Sequence, residues 1–143
     1  MEALLFDQSD ILRFCRARKF DEAKVKLMLT QFAEWRQTEQ VDTLYETWSL
    51  PELPAVKAAL PHGIHKNTRE GRPIFIRRVG MCDFDAFFAA TSDERMVRQI
   101  TWQLESYKYH VYPSMSRIFG RHIETNCQIF DLTDGSVTKM ASR

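Results

Sequence analysis

Four cations crowd one short stretch near the start of the chain, RFCRARK over residues 13–19. Arg13 and Arg16 stand one helical turn apart and can share a face, whereas Arg18 and Lys19 fall where that helix should end. Cations at a helix C-terminus complement its dipole, which is the structural explanation. Phosphate recognition is the chemical one, because an arginine fork and a lysine point charge both suit phosphate oxygens. The residues alone leave both open.

The remaining chemistry-bearing groups do not assemble into a catalytic constellation. His62 and His65 form HxxH, but no further ligand stands at a spacing that zinc would use. His122 and Cys127 lie five apart on an expected strand, so they point to opposite faces and make no thiol–imidazole pair. Cys127 is expected in the core. Ser136 follows Asp134-Gly135 outside any GxSxG elbow. Glu70-Gly71-Arg72 reads as a turn, not a phosphate loop. No two carboxylates converge at a spacing suited to acid–base work. The sequence therefore offers no positive sign of an enzyme and no cofactor motif.

The chain of 143 residues is 44% hydrophobic and 27% charged, the profile of an ordinary globular domain. At this length roughly 70% of the extended-chain surface can be buried. A formal net charge of +1 argues against bulk electrostatic capture of nucleic acid or of an anionic membrane, so any cationic function must be local. No apolar run is long enough for a transmembrane helix. The opening MEALLF is too short and too acidic for a signal peptide. Cys15, Cys82 and Cys127 are odd in number and far apart, as for reduced thiols of a cytosolic protein. Ten Phe, three Trp and four Tyr suit a large core or an apolar cavity.

The elements that must position these groups follow from periodicity. Ser9 is expected to cap a helix over residues 10–18. Asp21 should cap the next, with Phe20 and Val25 as its hydrophobic staple, and the apolar spacing carries it to about Thr38. A third helix is expected from Pro51 to Leu60. The character then changes: a short strand, a turn at residues 67–71 and a strand over 73–79. Residues 83–90 read as a short helix. Thr91 to Glu94 reads as a capping box for a helix with Val97, Ile100, Leu104, Tyr107 and Val111 on one stripe, ending near Pro113. A short helix at 114–119, a strand over 123–132, a turn and a helical start at 136–140 complete the pass. Strand, helix, strand implies a crossover and parallel pairing of 73–79 with 123–132. The expected fold is α/β: an N-terminal helical lobe, residues 1–61, then a βαβ-containing, partly parallel sheet over residues 62–143.

Four segments in order carry a family resemblance: DILRFCRARKFDEAKVKLML with FAEWR, HKNTREGRPIFIRRVG, TSDERMVRQITWQLESY and ETNCQIFDLTDGS. Together they span about residues 9–140 and resemble the CRAL-TRIO domain of the yeast-type phosphatidylinositol/phosphatidylcholine transfer proteins. The resemblance implies an incomplete CRAL-TRIO cradle: the helical region before the lipid site and the front part of the site itself, with the rest absent. It implies binding of a phospholipid in a hydrophobic pocket, transfer or presentation of that lipid, no cofactor, and transient contact with a Golgi or endosomal membrane from the cytoplasm.

The same resemblance assigns Arg18 and Lys19 to an inositol-phosphate headgroup. It places Ile64, Phe75, Leu104, Asn126 and Gln128 where relatives carry hydroxyl side chains around a choline phosphate. Three of these are apolar here and two are amides, which can still donate to phosphate. Two alternatives stand beside this reading. One is a non-transferring module that self-associates, as a homodimer or domain swap, or binds a partner through an exposed sheet edge. The other is a pocket for a sterol, a tocopherol-like molecule or a retinoid.

Overall fold

The computed structural model describes residues 8–135, so the expected helical start at 136–140, with Ser136, lies outside the described residues. The chain divides into two compact units, the first ending at Thr47 and the second beginning at Trp48.

The first unit is helical. Helix α1 spans Gln8–Ala17, α2 Glu22–Thr38 and α3 Val41–Thr47. Ser9 sits inside the first turn of α1 and does not precede the helix as expected. Asp21 caps α2 as its sequence position implies, accepting the Lys24 amide at 3.1 Å. Phe14, Val25, Val41 and Leu44 form the apolar core. Phe32 sits in an aromatic row between Phe14, at 5.2 Å, and Trp35, at 5.6 Å. Two arginines lie over its ring: Arg13 at 5.3 Å and Arg36 at 5.6 Å. Each has a carboxylate of its own. Asp10 accepts from Arg13 Nε at 3.1 Å, and Asp42 accepts from Arg36 Nε at 2.9 Å and from its Nη2. Cation, ring and carboxylate thus tie the three helices together.

In the second unit, helix α4 (Leu53–Ala59) leads into strands β1 (His62–Asn67) and β2 (Pro73–Arg77). Sequence periodicity puts α4 with the helical lobe, but its contacts lie with the sheet unit. It packs on helix α5 (Phe84–Ala90), its Ala59 carbonyl accepts the Asp83 amide at 2.9 Å, and the Pro61 carbonyl accepts the Arg78 amide at 2.9 Å. Glu52, just before α4, accepts from Arg95 at 2.5 and 3.0 Å and from the Thr91 hydroxyl at 3.2 Å. The Arg95 and Arg98 guanidiniums both lie over the Trp48 ring, at 5.1 and 5.3 Å.

Helix α6 (Asp93–Ser106) starts one residue later than its expected cap. Ser92 takes that role, accepting the Arg95 amide, while Thr91 turns its hydroxyl to Glu52. The helix does not stop near Pro113. A π turn over Tyr107–Val111 carries it directly into α7 (Tyr112–Phe119). A proline in a regular helix loses a backbone bond and clashes with the previous turn. Widening the turn just before Pro113 relieves both demands. Gly120, at φ 61, ends the helix.

Strand β3 (Cys127–Phe130) completes a three-stranded sheet in the order β1-β2-β3. β1 and β2 pair antiparallel, and β2 and β3 parallel, as the strand–helix–strand pattern requires. The β1–β2 turn closes with Thr68 and Arg72 paired at 2.8 Å. Gly71 there has φ +87, and a Cβ on it would meet Phe119 at 2.5 Å and Ile123 at 2.7 Å, so both backbone and packing demand glycine. The core holds Leu50, Val56, Ala59, Phe75, Tyr107 and Ile123. Cys127 is only half-buried, short of the core position expected for it. The expected apolar stripe of α6 is largely solvent-facing too: Val97, Ile100 and Leu104 are exposed, and only Tyr107 is buried. No helix among the described residues is long and apolar enough to cross a membrane.

Candidate functional site

Arg18 and Lys19 close α1 in the first unit. The Phe20 amide bonds the Cys15 carbonyl at 2.8 Å and the Lys19 amide bonds the Arg16 carbonyl at 3.2 Å. This is a Schellman closure, in which the Lys19 position usually holds glycine because the backbone turns left-handed. Here Lys19 has φ 52 and Phe20 φ 61. A lysine in that conformation costs on the order of 1–2 kcal/mol over the right-handed form. Both Arg18 and Lys19 are exposed, and neither makes a side-chain hydrogen bond or ion pair with a described residue. Phe20 is 68% exposed, so the staple with Val25 does not bury it. Arg13, a member of the same cationic run, is committed to Asp10 and the Phe14 and Phe32 rings.

The five remaining residues belong to the second unit. Strand register brings three of them into one row: Ile64 opposite Phe75, and Phe75 opposite Gln128. Paired positions across a sheet share a face, so these three side chains stand side by side on successive strands. Phe75 is buried, while Ile64 and Gln128 are exposed. The next row on the same face is His62, Arg77 and Phe130, in register across the three strands.

Asn126 lies just before β3, near the end of α6. The Tyr107 hydroxyl is buried without a hydrogen bond among the described residues, and Gln103 and Asn126 stand beside it. Burial raises the Tyr107 pKa, and the two amides oppose that rise. The Tyr112 ring lies 5.4 Å away, and burial pushes its hydroxyl up to about 12. Leu104, one helical turn before Tyr107, is 56% exposed. The structure thus gathers Ile64, Phe75 and Gln128 and sets Asn126 beside Tyr107. Arg18 and Lys19 belong to the other unit.

Sequence reading passed over Arg77. Its guanidinium lies over the rings of Phe75, at 5.5 Å, and Phe130, at 5.8 Å. Its Nε is buried and donates to nothing among the described residues. Two-residue alternation in IFIRR was the available signal, since it must turn Arg77 and Arg78 to opposite faces. His62 stands opposite Arg77, its Nδ1 2.7 Å from the Leu60 carbonyl. Burial depresses the His62 pKa, and the charges of Arg77 and Lys57 push the same way.

Curated sequences match most of this chain. The Sec14 cytosolic factor of Eremothecium gossypii is 36% identical over 135 residues, covering 94% of this chain and 44% of that protein. The chain is a homologue of the Sec14-type CRAL-TRIO proteins. The Sec14 cytosolic factor of Schizosaccharomyces pombe is 32% identical over 136 residues, 95% of this chain and 48% of its own length. The phosphatidylinositol/phosphatidylcholine transfer protein SFH7 of Arabidopsis thaliana is 35% identical over 122 residues, 85% of this chain and 22% of its own. This chain therefore spans less than half the length of these Sec14 relatives. No protein-family model matches it.

Proposed function

We propose that this protein binds a phospholipid, most favourably phosphatidylinositol, and transfers it or presents it to other proteins without chemical change. The reading rests on similarity to Sec14-type proteins, including ones named for phosphatidylinositol and phosphatidylcholine transfer, across most of this chain. Arg18 and Lys19 supply charge for the inositol phosphate, and both are exposed with no partner among the described residues. Ile64, Phe75, Leu104, Asn126 and Gln128 line the lipid site. An apolar side chain cannot pair with a buried phosphate, so Ile64, Phe75 and Leu104 disfavour phosphatidylcholine bound by a ring of hydroxyls. The protein works from the cytoplasm, meets Golgi or endosomal membranes transiently and needs no cofactor.

Native mass spectrometry of the longest natural form, purified without added lipid, tests the ligand. A phosphatidylinositol adduct is expected; a sterol, tocopherol-like or retinoid adduct would replace the phospholipid in this reading. Transfer between labelled vesicles tests the activity. Arg18→Ala with Lys19→Ala should lower phosphatidylinositol loading selectively, and equal loss for every lipid would make the pair structural.

One observation favours a second reading. β3 ends the described sheet, and Ile129 and Phe130 along it and Leu132 just beyond it are exposed. An apolar strand edge of this kind pairs readily with another chain. In this reading the protein is a module that self-associates or binds a partner there. A dimer by light scattering with no extractable lipid would favour it over transfer.

A further inference from the structure

Arg77 and Arg78 are adjacent on the chain and have opposite fates. Arg78 turns to Asp131 and pairs with it at 3.5 Å. Asp131 lies one residue beyond β3, and its amide bonds the Arg77 carbonyl at 2.9 Å. Asp131, beside this end of the sheet, is therefore engaged by Arg78. Arg77 points to the other face, where its neighbours by register are His62 and Phe130 and its diagonal neighbours are Ile64 and Gln128. No carboxylate pairs with it among the described residues.

Such a guanidinium is costly to leave half-buried. Resting over Phe75 and Phe130 compensates its charge in part, because ring faces attract cations. The rings satisfy no N–H, however, and the buried Nε remains without an acceptor. The two rings also hold the planar fork in place, so an incoming anion need not order a free side chain. Gln128 adds an amide donor on the same face, and a protonated His62 would add a second cation. Burial is the main cause of the depressed His62 pKa, and the Arg77 and Lys57 charges add to it.

We infer that Arg77, with His62 and Gln128 beside it on one sheet face, forms an anion subsite that holds the phosphate of a glycerophospholipid. The inference rests on the proposed lipid-binding function and deepens it. Ile64 and Phe75 offer no side-chain donor on this face, so the arginine supplies both the charge and the main donors. A single phosphodiester fits the local chemistry: one fixed cation, one amide and a titratable imidazole.

The test compares Arg77→Gln, Arg77→Lys and Arg78→Gln in the longest natural form. Loading is read by native mass spectrometry after incubation with vesicles of phosphatidylinositol, phosphatidic acid or diacylglycerol in a neutral carrier. Arg77→Gln should lower loading of both phospholipids about tenfold or more, as expected for a lost charge-assisted bond, and leave diacylglycerol unchanged. Arg77→Lys should fall between, since it keeps the charge and loses the fork. Arg78→Gln should load like the wild type. Wild-type phospholipid loading by Arg77→Gln, or equal loss of diacylglycerol, would overturn the subsite.

An NMR titration of His62 in the unmodified protein gives a second readout, independent of whether Arg77→Gln folds. Inorganic phosphate or a soluble inositol phosphate should raise the His62 pKa on binding, and the rise should shrink in Arg77→Lys and vanish in Arg77→Gln. An Arg77-dependent rise without any phospholipid loading keeps the anion subsite and removes the lipid reading. No rise and no phospholipid loading removes both.

Discussion

Arg36 and Arg77 both approach a phenylalanine ring from within a packed unit, and they differ in what completes them. Arg36, in the helical unit, is 3% exposed and bonds Asp42 through Nε and Nη2. Arg77, on the sheet, has the rings of Phe75 and Phe130 and no carboxylate among the described residues. A buried cation with a matched acid is a tie within the fold. Removing one partner of such a pair is costly because the other is left uncompensated. A cation whose acceptor is missing contributes less to stability and leaves its bonding capacity for something outside the chain. The same difference separates Arg13 from Arg18 and Lys19 within one run of residues, so cation count alone would have misjudged both regions.

The largest effect should come from breaking the tie. Arg36→Ala is expected to cost about 2 kcal/mol in denaturant unfolding, because the buried side chain loses its packing on Phe32 together with its bonds to the half-exposed Asp42. Arg77→Gln measured the same way should cost less than about 1 kcal/mol, since only the contact with the rings is lost. Similar losses for the two would erase the contrast.

Lys19 offers the reverse experiment, a residue whose removal should help the fold. Lys19→Gly should stabilise by about 1 kcal/mol, because glycine takes the left-handed turn without penalty, less the entropy that glycine adds to the unfolded chain. Phosphatidylinositol loading should fall in the same variant. A gain in thermal midpoint with unchanged loading would show that Lys19 does not face the headgroup.

Glu52 and Arg95 give a half-buried pair to set against Arg36. The hydrogen bonds from Arg95 are the first cause holding the Glu52 carboxyl at about 2, below its ordinary 4.5. Because the folded form holds the proton less tightly than the unfolded chain, the pair stabilises above pH 4.5, and that stability fades as pH falls toward 2. Glu52→Gln should flatten this acid limb of a stability–pH curve and leave Arg36 unaffected. An unchanged limb would assign acid sensitivity to other carboxyls.

The smallest effect belongs to Tyr107. Its hydroxyl is buried without a hydrogen bond among the described residues, so Tyr107→Phe should change stability by no more than about 0.5 kcal/mol, or raise it slightly. A loss above about 1 kcal/mol would mean that Gln103 or Asn126 bonds the hydroxyl in solution.

Much of this was legible residue by residue. Asp21 caps α2 because an aspartate before an apolar helical pattern satisfies a free amide whatever else the chain does. The parallel pairing of β2 and β3 follows from a helix lying between two strands. Other features depended on distant partners. Ser92 rather than Thr91 caps α6, because Glu52, far away in sequence, takes the Thr91 hydroxyl. The helix runs on through Pro113 because a π turn relieves it, and no local pattern announces that turn. The stripe on α6 has helical spacing, but spacing does not say whether anything covers it.

The sequence by itself determined the likeness to Sec14-type proteins, the order of the main elements and the cationic run at the end of α1, because short-range periodicity, capping and ordered motifs are written in adjacent residues. Only the tertiary structure decided which cations are free. It tied Arg13 and Arg36 to acids and aromatic rings, joined Arg78 to Asp131, and left Arg77 between two rings without an acid. Pairing depends on which side chains meet across strands and helices, and that is settled by register and packing between segments far apart in the chain.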